Sequence, residues 1–250
     1  MEGMSLNGIS ILENELVENA ARDHGKYFEH AQYALDFLHT FIKSTSYEGA
    51  FFLMFLSSVE KHITLGVLSG VRRHHVQANF NFRYATEAGS WAVYSLAHPD
   101  PSLFVEFESG GTLEPTKELK KKMYCWLDEK YPDGSASLKR FKDNTNRLSS
   151  HANIVDAQRN FGEFGREKIT TFFFDQDQEH HIKTDLWAAA NLSMGLLDLF
   201  YGVNKEYPQL VFGDDFLSRI RKLKADNDVL KAEMLNHLRL KPHVSKIRKS

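Results

Sequence analysis

Residues 47–69, "YEGAFFLMFLSSVEKHITLGVLS", decide how this chain is read. The segment is several helical turns long and apolar almost all round at its start. Such a helix has no solvent face of its own, so it belongs at the centre of a bundle. A break precedes it at Ser44-Thr45-Ser46, where Thr45-Ser46-Tyr47-Glu48 has the Thr-x-x-Glu form of a capping box. Gly66 and Gly70, four apart, let a neighbouring backbone come close. The most apolar run, Ala50 to Leu56, is far shorter than the roughly 20 residues a membrane span needs, so no membrane partner is expected.

Helices are expected on both sides. Leu16, Ala20, Tyr27, Ala31, Ala34, Leu38 and Phe41 recur at near-helical spacing and predict a helix over roughly 13–43. Another is expected over 72–97, with Arg72-Arg73-His74-His75 near its start and Arg83 and Glu87 in its middle. A loop rich in Pro, Gly and Ser follows at 98–115. Pro115 suits the first turn of a helix over 115–130, and "YPDG" at 131–134 reads as a turn. Further helices are expected over 136–158 and 185–204, and a last one from Asp214, a good N-cap residue. The β signal lies in "KITTFFF" (168–174) and "HHIKT" (180–184), which flank a polar Asp175–Gln178 loop and predict a hairpin over 168–184. The fold class is therefore mainly α: an antiparallel helical bundle with one inserted β-hairpin and a C-terminal helical extension. The bundle domain would span 1–210, and a basic helix and tail 211–250.

Composition supports a globular core. Of 250 residues 42% are apolar, with 19 Phe, 9 Tyr and 3 Trp, which argues against disorder. Cys125 is the single cysteine, so no internal disulfide can form and a reducing compartment fits. The start, "MEGMSLNGISILENE", lacks the charged-then-apolar order of a signal peptide. A cytoplasmic protein is expected. Net charge is only −2, yet residues 219–250 carry 10 Lys/Arg against 3 Asp/Glu, +7, leaving −9 elsewhere. A basic end can meet RNA, DNA or an acidic partner, although most such ends are simply solvated.

Two constellations carry chemistry. In "NTNRLSSH" (144–151), Arg147 and His151 are four apart and share a helix face. Histidine moves protons near neutral pH, and arginine grips phosphate with two donors. Together they could cleave RNA without a metal, His151 as base on a ribose 2′-OH and Arg147 stabilising charge on the phosphate. Arg83 and Glu87 form a second such pair. If their helix faces the Arg147 helix, Glu87 would orient His151 or Arg147, or the four would form a structural polar cluster. Twelve histidines raise the question of metal, but His-Glu-x-x-His, Cys-x-x-Cys and Glu-x-x-His are all absent, as are phosphate-binding glycine loops and Gly-x-Ser-x-Gly. No metal or cofactor is expected. In the last helix, Ile220, Leu223, Asn227, Leu230 and Met234 fall on alternating a and d positions, a short zipper with asparagine in its seam. A homodimer is expected from it; the alternative is that this helix packs on its own bundle.

The order of these features resembles bacterial helical proteins distantly similar to the HEPN superfamily (higher eukaryote and prokaryote nucleotide-binding domains), over roughly residues 20–204. HEPN ribonucleases carry Arg, four to six residues, then His; here three residues intervene and Leu148 follows the arginine. The resemblance implies the arginine role for Arg147, the histidine role for His151, and a site formed where two protomers meet. Two functions stand side by side. One is a dimeric interaction module, or one associated with nucleotide or nucleic acid, whose Arg/Glu/His cluster is structural. The other is a metal-independent ribonuclease of toxin or defence type.

Overall fold

The computed structural model describes residues 5–106, 111–112, 115–149, 154–163, 169–176 and 179–236. In chain order the helices are α1 (Leu6–Glu18), α2 (Ala20–His24), α3 (Lys26–Thr40), α4 (Ala50–Val71), α5 (His75–Ala97), α6 (Lys117–Lys130), α7 (Pro132–Ser149), α8 (Ile154–Arg159), α9 (Glu179–Glu206) and α10 (Phe216–Asn236). The strands are β1 (Ile42–Thr45), β2 (Val105–Glu106), β3 (Gly111–Thr112), β4 (Phe161–Glu163), β5 (Ile169–Thr171) and β6 (Leu210–Phe212). They form three antiparallel pairs, β1–β6, β2–β3 and β4–β5. The expected mainly α bundle with a small inserted hairpin is what the chain forms.

The single helix expected over 13–43 is three. Gly25 breaks it with φ +50°, a left-handed conformation that an L side chain resists. Thr45 belongs to a strand, and Ser46 is the N-cap of the short 3-10 turn before α4. "YPDG" breaks the helical path for a single residue: Tyr131, at φ −133° and ψ 59°, ends α6, and Pro132 opens α7 where its missing N–H costs nothing.

The hairpin is real but its second arm was misassigned. Ile169–Thr171 pairs with the upstream Phe161–Glu163, Thr171 opposite Phe161. "HHIKT" opens α9 instead, because Ile182 continues into Leu186, Ala189 and Ala190 as one apolar face.

The centre of the bundle is α9, not the helix of residues 47–69. α9 packs against α2, α3, α4, α5, α7 and α10. Its Ala189, Ala190 and Ser193 are buried and small enough to admit neighbouring helices closely. α4 lies on the flank. It pairs along its length with α5 across the 72–74 turn, where Gly66 sits directly under the Phe82 ring with no room for a Cβ. Both α4, with the turn before it, and α9 are long and apolar enough to cross a membrane by composition alone. Only 33% of the apolar window in 47–71 is buried, against 56% in 179–206.

At one end, Phe37 of α3, Phe41, Phe212 and Phe216 pack with Tyr201 and Phe200 of α9, with ring centroids 5.3 Å apart for Phe37–Phe216 and 5.1 Å for Tyr201–Phe216. The β1–β6 pair closes over them, Thr45 opposite Leu210. Buried Asn204 fixes that strand: its amide donates to Leu210 O at 2.9 Å, and its oxygen accepts from the Gln209 and Leu210 amides at 2.9 and 2.8 Å.

α10 uses its seam inside its own chain, which corrects the zipper reading. Leu223, Asn227 and Leu230 are buried, and Ile220 and Met234 pack partly buried on the same core. The neighbours are α3 and α9. Asn227 Oδ1 accepts from His30 Nε2 at 3.2 Å, and its Nδ2 donates to Asn191 at 3.1 Å. Burial holds His30 below the ordinary imidazole range despite that bond, which suits the neutral ring. Trp187 Nε1 and Tyr27 OH donate to the Asn227 and Leu230 carbonyls at 3.1 and 3.3 Å. A heptad stripe specifies that a helix must be met, not whose helix it is; here α3 and α9 supply both the apolar groove and partners for the asparagine. Truncation after Gly213 therefore strips the cover from His30, Trp187 and Tyr27. Thermal unfolding followed by circular dichroism should show a fall in Tm of at least about 10 °C, since several fully buried side chains are lost.

Candidate functional site

α5 and α7 do face each other, with Phe82 edge-on to Phe141 at 6.5 Å. Glu87 projects from α5 between α6 and α7. Its carboxylate meets three cations: Lys142 Nζ of α7 at 2.8 Å, Arg83 Nε one turn earlier at 3.6 Å, and Lys120 Nζ of α6 at 3.7 Å. Lys142 also reaches the Tyr124 hydroxyl at 3.4 Å and lies over that ring, 5.4 Å from its centroid. The sequence thus brings Arg83 and Glu87 together as expected. The cross-helix partner of Glu87, however, is Lys142, which the sequence reading passed over. Arg147 lies in the backbone of α7, but its side chain, and all of His151, fall outside the described residues. Of the "NTNRLSSH" stretch, Thr145 is buried and its hydroxyl donates to Lys142 O at 2.9 Å, while Asn146 Oδ1 is buried without a hydrogen bond among the described residues.

The electrostatics follow from this crowding. Burial pushes the Glu87 carboxyl up, but Lys142, Lys120 and Arg83 together outweigh it and hold it below the ordinary carboxylate range. Burial pulls the Lys142 ammonium down, and contacts with Glu87 and Tyr124 raise it net above the ordinary range. Both groups are charged at neutral pH. The space behind them, between Thr86, Ser90, Tyr124 and Leu138, is about 10 Å³, room for about one water. A ligand would have to meet this cluster from its solvent side, where Arg83 and Lys120 are 38% and 45% exposed.

A second polar cluster was missed. His75 opens α5; its Nδ1 lies 2.7 Å from Asp185 Oδ2 of α9, both groups buried. The Asn79 amide approaches His75 Nε2 at 3.1 Å and donates to His75 O at 2.9 Å. The His75 backbone amide donates to Asp175 Oδ2 at 2.7 Å, so a residue 100 positions later caps α5. Asp175 in turn accepts from Asn160 at 3.2 Å, and its amide donates to Arg73 O at 3.0 Å. That bond holds Arg73 in its left-handed turn, φ 62°. The neighbouring His74 goes elsewhere, to Glu13 at 2.9 Å, as expected of adjacent residues that diverge. The one sequence signal for this cluster was a carboxylate, Asp185, on the apolar face of α9 beside Ile182 and Leu186. With His75 and Asp185 only 8% and 6% exposed, the pair anchors helices rather than meeting a substrate. No three His, Cys, Asp or Glu side chains converge as a metal site among the described residues.

Two measurements test these assignments. Glu87→Gln should cost about 1–2 kcal/mol at neutral pH in urea unfolding, because three cations then face each other with no counter-charge. The stabilisation from Glu87 is full above the ordinary carboxylate range and is lost as pH falls through its lowered value. That from Lys142 is full below the ordinary ammonium range and is lost as pH rises through its raised value. The native chain should therefore lose its advantage over Glu87→Gln at both extremes. Asp185→Ala should cost about 3 kcal/mol, the penalty for removing the carboxylate that buried His75 Nδ1 faces at 2.7 Å.

No family model, curated protein or solved structure matches this chain.

Proposed function

We propose that the chain is a non-catalytic, homodimeric interaction module that holds a phosphate-bearing partner, a nucleotide or nucleic acid, on the basic side of the α5–α6–α7 cluster. One observation carries this reading: Arg83, Lys120 and Lys142 share a single carboxylate, so the cluster holds more positive than negative charge. Glu87 meets Arg83 at Nε, so the two terminal guanidinium nitrogens point past it, and the Lys120 ammonium, 3.7 Å from the carboxylate and 45% exposed, keeps donors for phosphate oxygens. The α10 seam is occupied, so the dimer uses another face.

The second reading is the metal-independent, HEPN-like ribonuclease, with His151 as base and Arg147 as phosphate clamp. It is favoured by the packing of α5 on α7, which sets the helix bearing Arg147 beside Arg83 and Glu87.

Binding of labelled RNA, DNA and ATP should be followed by anisotropy over a range of salt. The native chain is expected to bind nucleic acid with a log–log salt dependence. The Arg83→Gln, Lys120→Gln double variant, which leaves Lys142 paired with Glu87, should bind about tenfold or more weakly while its circular dichroism stays native. Absence of binding to any of the three at low salt would reject the module reading. RNA cleavage in the presence of EDTA, abolished in both His151→Ala and Arg147→Ala, would replace it with the ribonuclease.

A further inference from the structure

α4 has the composition of an interior helix and the position of a surface one. Glu60 and Lys61 are its only Asp, Glu, Lys or Arg residues. Yet Met54 is 56% exposed, and Leu53 and Leu65 are 38% and 36% exposed. The outward positions Ala50, Met54, Ser57, Lys61, Thr64 and Leu68 follow each other at intervals of four, three, four, three and four, all exposed or half-buried. This is the spacing of a helix–helix seam. No helix of the same chain fills it among the described residues. Beside it an open groove of about 620 Å³ runs between α4 and α3, walled by Asp36, His39, Glu60 and Leu65 among others.

We infer that a second copy of this chain covers this face, α4 packing antiparallel on the other copy's α4 about a two-fold axis near Val59 and Glu60. The inference rests on the dimeric part of the function proposed above and names its interface. Three observations choose this occupant. The first is the seam spacing, which a like helix matches. Met54 of one copy then lies opposite Leu65 of the other, and the small Ser57 and Thr64 permit close approach. The second is charge. Lys61 has no ion-pair partner among the described residues of its own chain; on the same groove Asp36 is held by Arg219 at 2.8 Å, while Glu60 has only the exposed His39 beside it at 3.3 Å among the described residues. A two-fold arrangement brings each Lys61 within reach of Glu60 on the other copy, so the surface is complementary to itself. A lipid surface would call for a row of unpaired Lys and Arg along the rim; here Lys61 stands beside Glu60, and Arg219 is taken up by Asp36. The third is extent. A 22-residue helix is about 33 Å long, and the α3 wall of the groove widens the strip it offers a second copy.

Mass in solution tests this on the full chain by light scattering across concentration. The native chain is expected to be a dimer. Met54→Asp and Leu65→Asp lie on exposed positions, so circular dichroism should remain native while dimerisation weakens at least about tenfold. Lys61→Glu should weaken it too, and adding Glu60→Lys should restore it. In a Cys125→Ser background, Ser57→Cys should be joined across the axis by a short bis-maleimide, and Ser218→Cys on α10 should not. A monomeric native chain would overturn the dimer and this interface together. A native dimer indifferent to the α4 variants, or one joined through Ser218→Cys, would overturn the interface alone. A monomer that sediments with phosphatidylcholine–phosphatidylserine vesicles, and loses that through Met54→Asp, would assign the face to lipid instead.

Discussion

Everything in this bundle is arranged around the enclosure of α9. A helix with Leu186, Leu196, Leu197, Phe200 and Val203 buried must be surrounded. Six helices from both halves of the chain do so among the described residues. Enclosure also sets terms for the polar groups that α9 carries inward. Asp185 is matched by His75, Asn204 by the backbone of β6, and Ser193 by the carbonyl of Ala189. Each unmet group would cost on the order of 1–3 kcal/mol, a large part of a marginal total. The helix therefore does more than fill space: its few polar residues fix which neighbours stand where.

The helices themselves were legible because their periodicity is local. Which of two apolar helices is central was not. Residues 47–69 are the more continuously apolar, but a helix's own sequence does not reveal how many neighbours it receives. α9 wins the centre through the small Ala189, Ala190 and Ser193, which allow close approach, and α4 is left with half its circumference outward. The hairpin error has a similar origin. Five residues of "HHIKT" satisfy a strand pattern, and only their continuity with Leu186 onward marks them as a helix start. The α10 seam was read correctly as a seam, since Leu223, Asn227 and Leu230 are all buried. Its partner could not be read, because burial against α3 and α9 and burial against a second copy leave the same stripe in sequence.

The candidate site was half legible for the same reason. Arg83 and Glu87 are neighbours on one helix, so spacing alone brings them together. Lys142 and Lys120 reach Glu87 from two other helices, and only the packing angle of α7 and α6 on α5 puts them there. His75 and Asp185, 110 residues apart, belong entirely to tertiary structure.

The closing contacts of α10 also bear on how the chain acquires its shape. Tyr27 waits for Leu230 and His30 for Asn227, separations of 203 and 197 residues. During synthesis α3 leaves the ribosome long before its cover exists. Its buried side must be shielded by transient collapse or by a chaperone until residues near 230 have emerged. Contacts of such range slow the search for the native state and lengthen the time in which apolar surface is open to misassociation. The asparagine in that seam then has a role in the race. It prefers the pocket that offers His30 and Asn191, and a wrong apolar surface offers it neither.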